Sequence, residues 1–223
     1  MPSVKIPKKS TDTDMTPFVD IAFLILSFFI MATKFKPPEP VEIKTPGSVS
    51  SQDLPQDDAV LITIDTANRV YFSVLAEKDK SIFDDVIKKV GTIRTLTFTN
   101  DQIANYRKTY AVGVPFTQLN SLLSLAPESQ SPATEPGIPV LDTLDNQLVT
   151  WIQAAKAVYS DRQQPLKYLI KGDGSSKYPT FEAVVEALKK NEEFKYNLVT
   201  ALENAPTGSA LDEAQRKGIG KNK

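Results

Sequence analysis

Asp20 is the residue in this sequence whose setting asks for chemistry. It stands near the start of the one long apolar run, Phe18-Val19-Asp20-Ile21-Ala22-Phe23-Leu24-Ile25-Leu26-Ser27-Phe28-Phe29-Ile30-Met31-Ala32. A carboxylate at the centre of a membrane-spanning helix costs roughly 2.5–3.5 kcal/mol on insertion scales, so a simple anchor is better served by Leu. An acid retained there is a candidate proton relay. At 3.6 residues per turn Thr16, Asp20 and Ser27 share one stripe with Leu24 and Met31, while Phe18, Ala22, Ile25 and Phe29 lie opposite. Such a polar stripe belongs against protein, not lipid, because unsatisfied polar groups in hydrocarbon are costly. The residues also leave open the plainer reading that Asp20 ionises at the headgroup boundary.

The element that must position this acid is a helix over residues 15–35. About 21 residues at roughly 1.5 Å each span on the order of 31 Å, the thickness of a bilayer's hydrocarbon core. Pro17 suits a first helical turn, with Thr16 or Asp14 as its cap. The exit Met31-Ala32-Thr33-Lys34-Phe35-Lys36 offers no good signal-peptide cleavage site. Lysines flank both ends, with Lys5, Lys8 and Lys9 before the helix and Lys34, Lys36 and Lys44 after it. The short amino-terminal tail (1–14) and the size of the region beyond the helix favour a cytoplasmic N-terminus and an exported C-terminal region.

Composition removes several classes of chemistry. The 223 residues contain no His and no Cys, so ordinary zinc sites, His-based nucleophile pairs, thiol chemistry and disulfides do not arise, and no cofactor is expected. A net charge of −1 argues against nucleic-acid binding. Gly172-Asp173-Gly174-Ser175-Ser176 has neither a P-loop lysine nor dinucleotide spacing and reads as a polar turn. The expectation is a protein that is not an enzyme.

Behind the helix, residues 36–58 read as a Pro-rich linker, in which Val41-Glu42-Ile43 alternates as a short strand would. Residues 59–203 read as an α+β domain. Ala59–Asp65 and Val70–Phe72 make a hairpin around a polar turn, Leu166–Asp173 is a strand, and Phe181–Lys190 is an amphipathic helix capped by Thr180. Lys195–Thr200 is the last strand. An insertion at about 81–142 carries helices expected at Ile82–Val90, Asn100–Tyr110 and Phe116–Leu125, with a Pro- and Ser-rich loop at 129–139. A helix from Leu144 to Tyr159 would set Leu144, Leu148, Ile152 and Ala155 on the sheet, and Trp151 reads as core. Residues 204–223 read as a disordered tail.

Asp14-Met15-Thr16-Pro17-Phe18-Val19-Asp20 followed by one apolar helix resembles the entry of the ExbD/TolR proteins, and the strand, acidic turn, aromatic, helix, strand order from Leu166 onward resembles the end of their exported domain. The resemblance implies a single-pass inner-membrane protein with a periplasmic domain, acting in a proton-motive-force motor. It carries the proton-responsive role to Asp20 and supporting roles to Thr16 and Ser27. Asp173 and Tyr178 match domain positions, with turn geometry and helix docking as their first role and contact with a periplasmic partner as a second. It further implies an ExbB/TolQ-type polytopic partner enclosing two copies of the helix, and a TonB-like or TolA-like load, with peptidoglycan as a further ligand. A flagellar or gliding stator subunit and a passive membrane-anchored adaptor are the alternatives.

Overall fold

The computed structural model describes residues 15–32, 41, 43–48, 55 and 57–202. Two compact units divide between residues 38 and 39.

The first contains helix α1, Thr16–Ala32. It opens with Phe18 and Val19 donating to the Met15 carbonyl, so Thr16 lies inside the helix rather than capping it, and Asp14 lies outside the described residues. The expected span reached residue 35; the described helix has 17 residues, and residues 33–35 lie outside the described set. At roughly 1.5 Å per residue it is about 25 Å long, against a hydrocarbon core of about 30 Å. No helix among the described residues is long and apolar enough to cross a membrane. Every described side chain of α1 is nonetheless exposed, including Phe18, Phe23, Leu24, Phe28 and Ile30.

The second unit is α+β. After β1 (Gly47–Ser48) come β2 (Asp57–Ile64) and β3 (Val70–Ala76), then α2 (Ser81–Arg94), α3 (Asn100–Tyr106), α4 (Phe116–Ser124), α5 (Leu148–Asp161), β4 (Lys167–Gly172), α6 (Tyr178–Lys190), β5 (Asn197–Val199) and β6 (Ala201–Leu202). The main sheet has the order β3-β2-β4-β5; β2 is antiparallel to β3 and parallel to β4, and β4 is parallel to β5. β1 and β6 pair separately, in parallel.

Strand alternation gives the sheet two different faces. Val60, Ile62 and Ile64 of β2, Phe72 and Val74 of β3 and Tyr168 and Ile170 of β4 enter one core with the helices. Ala59, Leu169 and Val199 form a smaller cluster, with Leu61 and Leu75 against it. Trp151 of α5 centres the larger core: it is fully buried and stacks with Phe72, Phe116 and Tyr106 at centroid distances of 5.1, 5.7 and 6.1 Å.

Several expected boundaries move, each for a local reason. Helix α5 begins at Leu148, not Leu144, because Asn146 accepts from the Leu148 N–H and ties its own amide to the Ala183 carbonyl; Leu144 is left 97% exposed. α6 begins at Tyr178, with Pro179 in its first turn, so Thr180 is a buried helical residue and Lys177 is the N-cap. α2 runs on to Arg94, α3 stops at Tyr106, and α4 ends at Ser124. Thr99 and Gln102 cap α3 reciprocally, whereas the first N–H of α4 is taken by the distant Gln147 side chain. β3 extends four residues past Phe72, and β5 is confined to three residues. The expected linker does not remain free of the fold: β2 already starts at Asp57, Lys44 and Pro46 are bonded to the domain, and the short strand falls at 47–48 rather than 41–43.

Trp151→Ala should therefore lower unfolding stability by about 3–5 kcal/mol, as loss of a buried aromatic does, while Leu144→Ala should stay within about 0.5 kcal/mol. Urea unfolding followed by circular dichroism separates them; comparable effects would contradict the placement of α5.

Candidate functional site

Two sets of polar residues stand out, one on each unit. On α1, Thr16 and Asp20 are one turn apart and Ser27 nearly two turns beyond Asp20, all on one stripe. Along the axis, roughly 6 Å separates Thr16 from Asp20 and roughly 10 Å separates Asp20 from Ser27. The Ser27 hydroxyl donates to the Leu24 carbonyl at 2.9 Å, which occupies its proton and leaves its oxygen free to accept. Asp20 and Ser27 are too far apart to bond directly.

In the domain, the carboxyl ends of the parallel strands β2 and β4 lie side by side, with Ile64 opposite Gly172. The next residues are Asp65 and Asp173, both buried. The Asp173 N–H continues the ladder to the Ile64 carbonyl. Its side chain accepts from the Ser175 N–H and hydroxyl, which folds the turn, and from the Lys44 N–H at 2.8 Å. Gly174 N–H returns a bond to the Lys44 carbonyl at 3.0 Å. Asp173 thus fastens the chain entering the domain to the sheet. The Ser175 hydroxyl and the Ser175 and Lys44 amides favour its charged form and hold its carboxyl below the usual range. Tyr178, at the first residue of α6, is 68% exposed. Asp173 is committed to internal bonds, whereas the Tyr178 ring is open to solvent.

Asp65 belongs to a network that sequence reasoning missed. It accepts from the Ala67 and Arg69 amides and pairs with the Arg69 guanidinium through Nε at 2.7 Å and Nη2 at 2.6 Å. Arg69 Nη1 donates to the Ala133 and Glu135 carbonyls, and the Tyr71 hydroxyl to the Pro132 carbonyl. Glu135, 5% exposed, accepts from the Gly113 N–H at 2.7 Å. Burial, with Asp65 close by, pushes the Tyr71 phenol up to about 12. The available signal was an acid ending a strand with Arg four residues later, Asp65 and Arg69; nothing local pointed to Glu135. Asn68, in the same turn, accepts from the Lys177 N–H and so seats the start of α6.

Among the described residues no three acidic side chains converge in the manner of metal ligands. What the domain site can do is hold its entry chain and the first turn of α6 in place. The depressed Asp173 gives that clasp a pH sense: its contribution is present above the ordinary Asp range and is lost as pH falls through the lower folded value. Asp173→Ala should therefore abolish hydrogen-exchange protection of the Lys44 amide at neutral pH while amides of β4 stay slow. Unchanged protection at Lys44 would show that the clasp is not what holds the entry chain.

Comparison with known proteins finds no matching curated protein and no matching solved structure. One family model does match, that of biopolymer transport protein ExbD/TolR, over residues 7–203. The match takes in the α1 stripe and all the described strands and helices of the domain together. The chain belongs to the ExbD/TolR family of biopolymer transport proteins.

Proposed function

We propose that this chain is the single-helix subunit of a proton-driven motor in the bacterial inner membrane, with Asp20 as the group that takes up and releases the proton. Membership of its family implies a non-enzymatic, energy-coupling role in biopolymer transport alongside membrane partners. The finer reading rests on α1. A helix with phenylalanines, leucines and isoleucines exposed all around, and a single carboxylate, is covered by lipid or by other helices in its working state. Lipid alone would offer the Asp20 carboxyl nothing to bond. An ExbB/TolQ-type polytopic partner enclosing two copies of α1 supplies the cover that lipid cannot.

Inside such an enclosure the Asp20 carboxyl exchanges its proton with water held along the Thr16–Ser27 stripe. Each proton that passes then changes the charge on the helix and biases how it docks. The N-terminus is cytoplasmic in this reading and the α+β domain periplasmic, where it transmits work to a TonB-like or TolA-like protein or engages peptidoglycan. Tyr178, exposed at the start of α6, is the proposed contact residue there, and Asp173 supports the turn beside it.

The decisive variant is Asp20→Asn. It removes ionisation but keeps size, so the chain should remain in the membrane fraction after alkaline extraction and should still co-purify with its polytopic partner. Proton-dependent uptake or envelope integrity should fall to the level of cells lacking the chain. Asp20→Glu should keep part of the activity, and Ser27→Ala should lose less than Asp20→Asn. Full activity of Asp20→Asn in a normal complex would leave a passive anchored adaptor as the better description.

A further inference from the structure

Residues 131–138 cross the outer edge of β3 at the start of that strand. Ile138 N–H donates to the Val70 carbonyl at 2.8 Å, and Gly137 N–H to the Gly113 carbonyl at 2.6 Å. The segment's Pro132, Ala133 and Glu135 carbonyls take the Tyr71 hydroxyl and the Arg69 guanidinium. The fit has no slack. Gly137 has φ of +88°, and a Cβ there would lie 2.8 Å from Cβ of Arg69; a Cβ on Gly113 would lie 2.2 Å from the Tyr71 ring. The segment is a strap seated on the hairpin.

Under it lies Glu135. One carboxyl oxygen accepts from Gly113 N–H, and the other is fully buried with no hydrogen-bond partner among the described residues. The ionisable groups facing it are Arg69, just before β3, and Tyr71, within it; the loop 111–114 presents only backbone there. Arg69 is already engaged by Asp65 through two nitrogens, and its third donates to backbone carbonyls. Arg69 therefore acts on Glu135 only from a distance, and among the described residues none forms an ion pair with it. A neutral Glu135 leaves the Asp65–Arg69 pair balanced, whereas an ionised one adds a second buried carboxylate charge with no ion pair of its own.

We propose that residues 131–138 form a proton-controlled strap, closed on the edge of β3 while the Glu135 carboxyl is neutral and released when that carboxyl ionises. Release frees the Val70 carbonyl and the Tyr71 hydroxyl, while the next residue of the strand to turn its backbone outward, Phe72, stays bridged to Val112. The device is independent of Asp20, so it stands or falls apart from the proton-relay reading. Burial raises the Glu135 carboxyl above the usual range, outweighing the Gly113 amide and Arg69. For a group raised on folding, the stabilisation is complete below the unfolded value and is lost as pH rises through the folded one. The strap therefore closes in acid and loosens toward alkaline pH.

Hydrogen exchange of the full chain in detergent, corrected for intrinsic rates and run from about pH 5 to about pH 8, tests this. Protection of the Gly137 and Ile138 amides, which donate to the Gly113 and Val70 carbonyls, should fall with rising pH, by at most about tenfold per pH unit, the limit for one proton. Amides of β4 should hold constant. Glu135→Gln keeps an acceptor for Gly113 and cannot ionise, so its strap should stay protected at the wild-type acid level throughout; Glu135→Met is a second uncharged variant should Gln fail to fold. A flat wild-type profile overturns the proposal, as does an undiminished pH dependence in either folded variant.

Discussion

Everything in the domain depends on β2 having a neighbour on each side. Its antiparallel partner β3 is reached through a short turn, but its parallel partner β4 is set opposite it only after residue 59 finds residue 167. Parallel strands cannot be joined by a tight turn, so the chain between them has to leave the sheet and return. The helices α2 to α5 are that crossover, and their apolar faces become the cover for the sheet. A segment that reads in sequence as an insertion is, physically, the connection without which β2 and β4 could not lie parallel.

That constraint also explains which features sequence made legible. The hairpin, β4 and the amphipathic faces of α2 and α6 rest on periods of two and of 3.6 within a few residues, and these survive in the fold. The start of α5 was misplaced because Leu144 and Leu148 happen to fall at helical spacing, while the deciding bond comes from Asn146 to the chain near α6. Pro179 was the better guide to the start of α6 than Thr180, since a proline belongs in the first turn. The two-residue strands β1 and β6 carry no pattern of their own, and their pairing exists only because Lys44 and Pro46 are docked on the domain.

Acidic residues divide along the same line. Asp20 was conspicuous because a carboxylate among phenylalanines and leucines violates the local rule, and such violations mark function more often than fold. Asp65, Asp173 and Glu135 violated nothing locally. Their burial depends on the carboxyl ends of two parallel strands lying side by side and on a loop from residues 131–138 crossing the hairpin, neither of which any window of sequence contains.

The buried acids of the domain meet the cost of burial in different ways. Asp65 is met by a guanidinium and two amides, and Asp173 by amides and a hydroxyl, so each sits among donors that suit a carboxylate. Glu135 has one amide and no direct ion pair, and burial outweighs that amide and the more distant Arg69, raising its carboxyl above the usual range. Asp20 differs from all three: it is exposed on its own helix, and in the motor proposed above other chains would supply its solvation. An acid whose environment is fixed within one chain has its protonation set by the fold. One whose environment comes from a moving partner can have that state reset at every step, which is the property a proton-driven motor needs.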